Sequence, residues 1–262
     1  MARSVADLRL FCKNVANAGP WLKDPKCIEI PWRDITLPKR LKIAVLWNDG
    51  VVKPTPPVQR ALHEVSEKLK GKDYEIVNWD PQGHAQALQL IGKFFLADGG
   101  KSIAKILEPS GEPWRPEMEA YSKSTELGVY ELWQLQKERT ALAKQYLDRW
   151  AASEGVDAIL LPTTPYAAVE NGGFKYIGYT GVYNVLDYSA VSFPTGLHVD
   201  KEKDVLSAEA KDDLSDWDKM TREGYNAAAV HGMPISLQLV GRRLQEEKML
   251  DLAERVVNDL AS

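Results

Sequence analysis

Two side chains that could perform nucleophilic chemistry lie one helical turn apart, at Ser102 and Lys105. A Ser-x-x-Lys spacing can place an amine beside a hydroxyl, where the amine serves as general base. The pattern is short and consists of common residues, so a chance match is the stronger interpretation. The neighbouring Gly100-Lys101 pair does not complete a phosphate-binding loop, because Phe95 stands where that loop needs its first glycine.

The histidines and carboxylates do not form a pattern typical of a metal site. His63-Glu64 lacks the second histidine of a zinc-binding helix, and the remaining histidines are scattered over the chain. We therefore expect no metal and no cofactor. Four isolated aspartates could serve as a general acid or base, namely Asp80, Asp98, Asp157 and Asp187, but no pattern brings two of them together. Turns and helix ends explain the first three.

A short aromatic and polar segment is the best candidate for a binding site. It contains Tyr179, Thr180, Tyr183, Asn184 and Asp187, whose polar tips sit on largely apolar side chains or among apolar neighbours. This composition is typical of a pocket wall. A packed core loop with satisfied hydroxyls explains it equally well, so both interpretations stay open.

Bulk composition excludes several classes of protein. The chain has 262 residues, 44% apolar and 27% charged, with a net charge of -4 and dispersed Lys and Arg, so a polyanionic partner is not expected.

The sequence has no apolar run long enough for a membrane span and no secretory signal. Cys12 and Cys27 are too few for a disulfide framework, although one bridge stays possible. We expect a soluble protein of the cytoplasm that binds neither nucleic acid nor membrane.

Alternating strands and helices must position these side chains. Buried apolar runs predict strands, an amphipathic helix is predicted after the Ser4 cap, and further helices are expected between strands. This order is typical of parallel strand pairs with crossover helices. The predicted strands are 41–47, 74–79, 157–162 and 235–240, and the predicted helices are 84–100, most of 116–152, and segments after Pro57 and Arg243. Residues 200–219 are rich in charge and predict a surface excursion.

Three motifs in one order resemble the C-terminal half of the amidase signature family: DAILLPTTPYAA, YTGVYNVLDYSAVSFPTG and GMPISLQLVGRRLQEEKML. Two further motifs, ADGG and SGEPWRP, resemble the fungal acetamidase and general amidase branch. The resemblance implies an α/β fold, with a mixed central sheet flanked by helices on both faces. It also implies that residues 1–262 form the C-terminal part of a single amidase domain whose N-terminal catalytic portion is missing.

The resemblance further implies hydrolysis of small carboxylic amides to carboxylate and ammonia by a Ser-Ser-Lys mechanism. No Gly-Gly-Ser-Ser motif occurs in the chain. We therefore expect no catalytic residue here, an inactive chain when alone, and Met1 at a position internal to the family's sequence. By resemblance, Tyr179, Thr180 and Asn184 are expected to contact the substrate. The alternative is a non-catalytic remnant or partner subunit that binds or complements an intact amidase.

Overall fold

The computed structural model describes residues 1–207 and 212–262. Within these ranges one sheet contains five strands, which are β1 (Leu41–Val45), β2 (Tyr74–Asn78), β3 (Ala158–Pro162), β4 (Ala190–His198) and β5 (Pro234–Val240). Helices of at least four residues in the same ranges are α1 (Val5–Asn17), α2 (Pro56–Lys70), α3 (His84–Leu96), α4 (Lys101–Leu107), α5 (Glu119–Ser122), α6 (Val129–Ala152), α7 (Gly178–Leu186), α8 (Asp216–Glu223) and α9 (Glu246–Ala261).

The sheet is mixed, as the resemblance implies, with the strand order β2-β1-β3-β5-β4. β1 pairs in parallel with both β2 and β3, whereas β5 runs antiparallel to β3 and to β4. The parallel pairs are joined by helices, since two parallel strands cannot be connected by a tight turn. β5, the last strand along the chain, thus lies between β3 and β4.

Helices cover the two sheet faces, and each face has its own core. On one side, named the α9 face, the helices α1, α2 and α9 pack over side chains such as Leu160 and Leu237. On the other, named the α7 face, α3, α6 and α7 pack over side chains such as Ile159 and Leu161. All five residues of β3 are buried because helices lie on both of its faces.

Local sequence explains where several helices begin. Ser4 precedes α1, and its Oγ accepts a hydrogen bond of 3.1 Å from the amide of Asp7, as the cap predicts. Pro56 and Pro57 open α2, where a missing N–H leaves no helical hydrogen bond unmade. The sequence predicts five residues of α6 facing a core; four of them are buried and Leu132 is half-buried. The buried four are Leu135, Leu142, Tyr146 and Trp150.

Some sequence-based expectations are wrong in detail. The helix predicted over 84–100 ends at Leu96, and a second helix, α4, begins after Gly100. Gly99 and Gly100 both have positive φ, which favours glycine and breaks the helical path. The spacing of Val5, Leu8, Cys12 and Val15 predicts one inner face of α1. Val5 is buried, but Val15 is exposed.

Cys12 and Cys27 are both free thiols, so the one bridge that the sequence left open is not formed. No helix in the described ranges is long and apolar enough to cross a bilayer.

The charged segment 200–219 is fastened to the protein by buried carboxylates. Most of its described residues are exposed, but the side chains of Asp204 and Asp218 are almost fully buried. Arg60 donates two hydrogen bonds to Asp204, at 2.7 and 2.9 Å. Its guanidinium lowers the pKa of that carboxyl against the opposing effect of burial. Residues 208–211 lie outside the described ranges.

Candidate functional site

The aromatic segment that we expected to form an irregular loop is the helix α7. The side chain of Tyr179 is buried, and its hydroxyl donates a hydrogen bond of 2.6 Å to the carbonyl of Val52. Thr180 is half-buried and donates to the carbonyl of Ile177, while Asn184 is exposed. Thr180 and Asn184 are four residues apart and share one helical face. The structure thus separates the predicted contact residues into a core side chain, Tyr179, and two outward-facing polar ones.

A buried glutamine fixes the first turn of α7 to the sheet. Gln238 stands in the middle of β5 with 3% of its surface exposed. Its Nε2 donates one hydrogen bond of 2.9 Å to the carbonyl of Pro162 and one of 3.0 Å to the carbonyl of Tyr179. A buried amide donor costs free energy unless it is paired, so this geometry strongly favours one position of α7 over β3 and β5.

Beside α7, part of the sheet has no helix over it within the described residues. This bare face consists of Ala190, Ser192 and Pro194 of β4 and Ser236 of β5, all of them exposed. The Ser192 hydroxyl lies 2.9 Å from that of Thr163 and also donates to the carbonyl of Leu237 at 3.3 Å. These hydroxyls can bind a polar group, but no amine, imidazole or carboxylate in the described residues contacts them as a base.

Under α7, a carboxylate organises the loop that receives Tyr179. Asp49 is buried and accepts hydrogen bonds from the Tyr176 hydroxyl at 2.6 Å and from the amides of Val51 and Val52 at 3.0 and 2.8 Å. Burial raises the pKa of the Asp49 carboxyl, although these hydrogen bonds oppose the change. Several hydrogen bonds therefore hold the loop at the point where Tyr179 of α7 contacts it.

The end of the charged segment reinforces the same loop. Asp218 accepts hydrogen bonds from the amides of Lys53 and Leu214, at 2.8 and 2.9 Å. The Ser215 hydroxyl donates to the carbonyl of Val51 at 2.7 Å and also caps α8. A segment predicted only as a charged surface excursion thus contributes to the support of the candidate site.

The Ser102 and Lys105 pair gives no sign of nucleophilic chemistry. Ser102 lies in the first turn of α4, where its amide and its hydroxyl both bind Asp98. These hydrogen bonds lower the pKa of the Asp98 carboxyl. Asp98 therefore acts as a helix-end residue, as the sequence predicts.

The histidines are also dispersed. His84 is buried in the core of the α7 face, with its Nε2 3.1 Å from the Tyr146 hydroxyl. Burial, assisted by the nearby Arg149 charge, lowers the pKa of His84 to about 3. The described residues contain no group of three or more His, Cys, Asp or Glu side chains able to hold a metal ion.

Comparisons with known proteins agree with the motifs. A family model described as Amidase matches residues 1–250. The chain belongs to the amidase family. It is 34% identical to Amidase 1 of Gibberella moniliformis over 98% of its own length and 51% of that protein, and 35% identical to the acetamidase of Aspergillus oryzae over 98% and 49%. Its fold superposes on a structure titled Fatty acid amide hydrolase with a TM-score of 0.94 and 33% identity, covering 100% of this chain and 48% of that one.

This amidase-family chain spans about half the length of the curated relatives it matches. Sequence reasoning missed three polar residues of the site: Gln238, Ser192 and Thr163. The alternation of β5, which sets Ser236 and Gln238 against apolar neighbours, is the signal that could have pointed to Gln238. Nothing in the local sequence could have paired Thr163 with Ser192, because 29 positions separate them.

Proposed function

We propose that residues 1–262 form the C-terminal part of an amidase domain and contribute one wall of its substrate pocket. The complete protein would hydrolyse small carboxylic amides to carboxylate and ammonia. The observation that carries this proposal is the anchored first turn of α7. There Gln238 and the carbonyl of Val52 hold Tyr179 in place, so Thr180 is presented outward from a rigid element.

In this proposal the chain supplies contacts and no catalyst. Thr180 and Asn184 offer a hydroxyl and an amide that can bind the polar end of an amide substrate, while Tyr179 positions them. The nucleophile and its base belong to a Ser-Ser-Lys set in a part of the domain that this sequence does not contain. That serine attacks the amide carbonyl, the amine departs with a proton, and water releases the carboxylate from the acyl-enzyme. The proposal requires no metal and no cofactor, and it assigns the protein to the cytoplasm.

A second candidate is a non-catalytic subunit that binds or complements an intact amidase. The bare face on β4 and β5 favours it, because a sheet face without a covering layer is available to another polypeptide. The two candidates differ in whether the chain belongs to an active assembly, and both predict that the isolated chain is inactive.

Ammonia release tests the catalytic part of the proposal. The purified chain is incubated with acetamide and with longer aliphatic amides, and no ammonia above a boiled control is expected. Turnover would contradict the proposal. The variant Ser102→Ala would then identify its source: lost turnover would assign catalysis to the Ser102 and Lys105 pair, and unchanged turnover would assign it to another group of this chain.

A further inference from the structure

A surface cavity lies at the C-terminal end of α7, where the second half of α6 and the turn between β5 and α9 meet. Its volume is about 540 Å³, which is enough to enclose a small organic molecule. Among the described residues that line it, four side chains are cationic and none is acidic. The four are Arg33, Lys144, Arg242 and Arg243. The charge of the lining therefore favours an anionic ligand.

One of these cations, Arg242, differs from the other three. Each of the others forms a salt bridge with a carboxylate that does not line the cavity. The Arg242 guanidinium makes neither a salt bridge nor a hydrogen bond with any residue in the described ranges. Its charge lies close enough to the Tyr188 hydroxyl to oppose the rise in pKa that burial causes there. Arg242 can therefore offer its planar guanidinium to a carboxylate without first breaking an ion pair.

The rest of the lining is largely apolar. Leu147 and Leu244 leave 43% and 36% of their surfaces exposed, and Ala143 and Leu186 also line the cavity. An apolar group bound here would remove these side chains from water, which is favourable. A free phosphate would leave them exposed. The lining therefore favours a carboxylate that carries an apolar chain or ring.

The backbone of Leu244 supports a role for its side chain. Its φ of 61° lies in the left-handed region, which costs a leucine free energy that glycine or asparagine largely avoids. An Arg33 nitrogen fixes this turn by donating a hydrogen bond of 2.5 Å to the Leu244 carbonyl. The fold thus needs this backbone conformation but does not need a leucine to adopt it. Strained residues of this kind cluster at ligand sites, and this leucine lines the cavity.

We propose that this cavity binds an amphipathic carboxylate, meaning a carboxylate attached to an apolar chain or ring. Arg242 pairs with the carboxylate, and Leu147 and Leu244 contact the apolar part. Neither Thr180 nor Asn184 lines the cavity, so the inference does not depend on the proposed function.

Ligand-detected NMR on the 262-residue chain tests the site, with hexanoate as the probe. Saturable binding of hexanoate is expected. Hexanol lacks the charge and inorganic phosphate lacks the apolar chain, so each should bind more weakly by roughly fivefold or more. Arg242→Gln should weaken hexanoate binding by a similar factor. Arg40→Gln removes an exposed arginine that does not line the cavity and should leave the affinity unchanged.

A further variant separates ligand contact from a structural role. Leu244→Asn removes the apolar contact but suits the left-handed backbone. It should weaken hexanoate binding without lowering the denaturation midpoint of the chain. A lower midpoint with unchanged affinity would show that the leucine serves the fold, and would overturn its assigned contact.

The remaining outcomes decide the site itself. Arg242 and Arg40 are both exposed, so denaturation midpoints equal to that of the native chain establish that these two variants are folded. The proposal is overturned if hexanoate shows no saturable binding, or if hexanol or phosphate binds as tightly as hexanoate. It is also overturned if Arg242→Gln binds hexanoate as tightly as the native chain does.

Discussion

Acidification should weaken this fold through one buried histidine. In the unfolded chain His84 takes up a proton near its ordinary pKa of about 6.5, whereas in the folded chain it stays neutral down to about pH 3. Between these values the unfolded state binds more protons, so the free energy of unfolding falls as pH falls. Each pH unit is worth about 1.4 kcal/mol. The loss from His84 should therefore reach about 3 kcal/mol by pH 4, and His84 contributes no pH dependence above about pH 7.

The variant His84→Phe keeps a ring in the site but removes the titrating group. At pH 7 it should be less stable by about 1 kcal/mol, because the contact with the Tyr146 hydroxyl is lost. As pH falls below 6.5, the native chain should lose this advantage and become the less stable of the two by pH 4. Denaturant titrations followed by tryptophan fluorescence at several pH values measure the difference.

A matched variant separates this effect from general destabilisation. Val182 is buried in the same core as His84 and does not titrate. Val182→Ala should lower the free energy of unfolding by the same amount at every pH. Its plot of unfolding free energy against pH should therefore run parallel to that of the native chain. If the His84→Phe curve is also parallel to the native one between pH 7 and 4, the argument from burial is refuted.

Two further variants test the support of α7. Gln238→Leu leaves two buried carbonyls without their donor. The free energy of unfolding, measured by denaturant titration, should fall by about 2–4 kcal/mol. A decrease within experimental error would show that the two hydrogen bonds do not hold α7. The pKa of the Asp49 carboxyl is raised in the folded state. Protonation of Asp49 therefore favours the folded state at low pH, and this stabilisation is lost as pH rises through the raised pKa. The stability of the native chain relative to Asp49→Asn should consequently decline as pH rises above the ordinary aspartate pKa of 3.8, and a flat difference would contradict this assignment.

The sequence predicts the layered fold well because most of its elements have strong local signals. The cap at Ser4, the apolar runs of β1 and β3 and the periodicity of α6 each predict the observed element. α7 does not follow this pattern. Its sequence GYTGVYNVL contains glycines and β-branched residues that disfavour a helix. Burial of Tyr179, Val182 and Leu186 in the core of the α7 face overrides that preference. This burial exists only in the tertiary structure.

The candidate site is less predictable for a similar reason. Tyr179, Thr180 and Asn184 lie in one short helix, α7, and not in a loop. Their orientation depends on hydrogen bonds across long separations, such as those from Gln238 to Tyr179 and from Tyr179 to Val52. Local patterns carry no information on such pairs. The substrate-contact role of these residues stays a prediction.

The position of β5 between β3 and β4 also determines the order in which the sheet can assemble during synthesis. A ribosome releases β1, β2 and β3 first, and these three strands pair with one another. β4 is complete at His198, but its partner begins only at Pro234. Until then β3 and β4 both present unpaired edges that can associate with other nascent chains. Pairing of β5 therefore closes the open edge of β3 and one edge of β4 in one step. A nascent chain cut before Pro234 would carry two aggregation-prone strands.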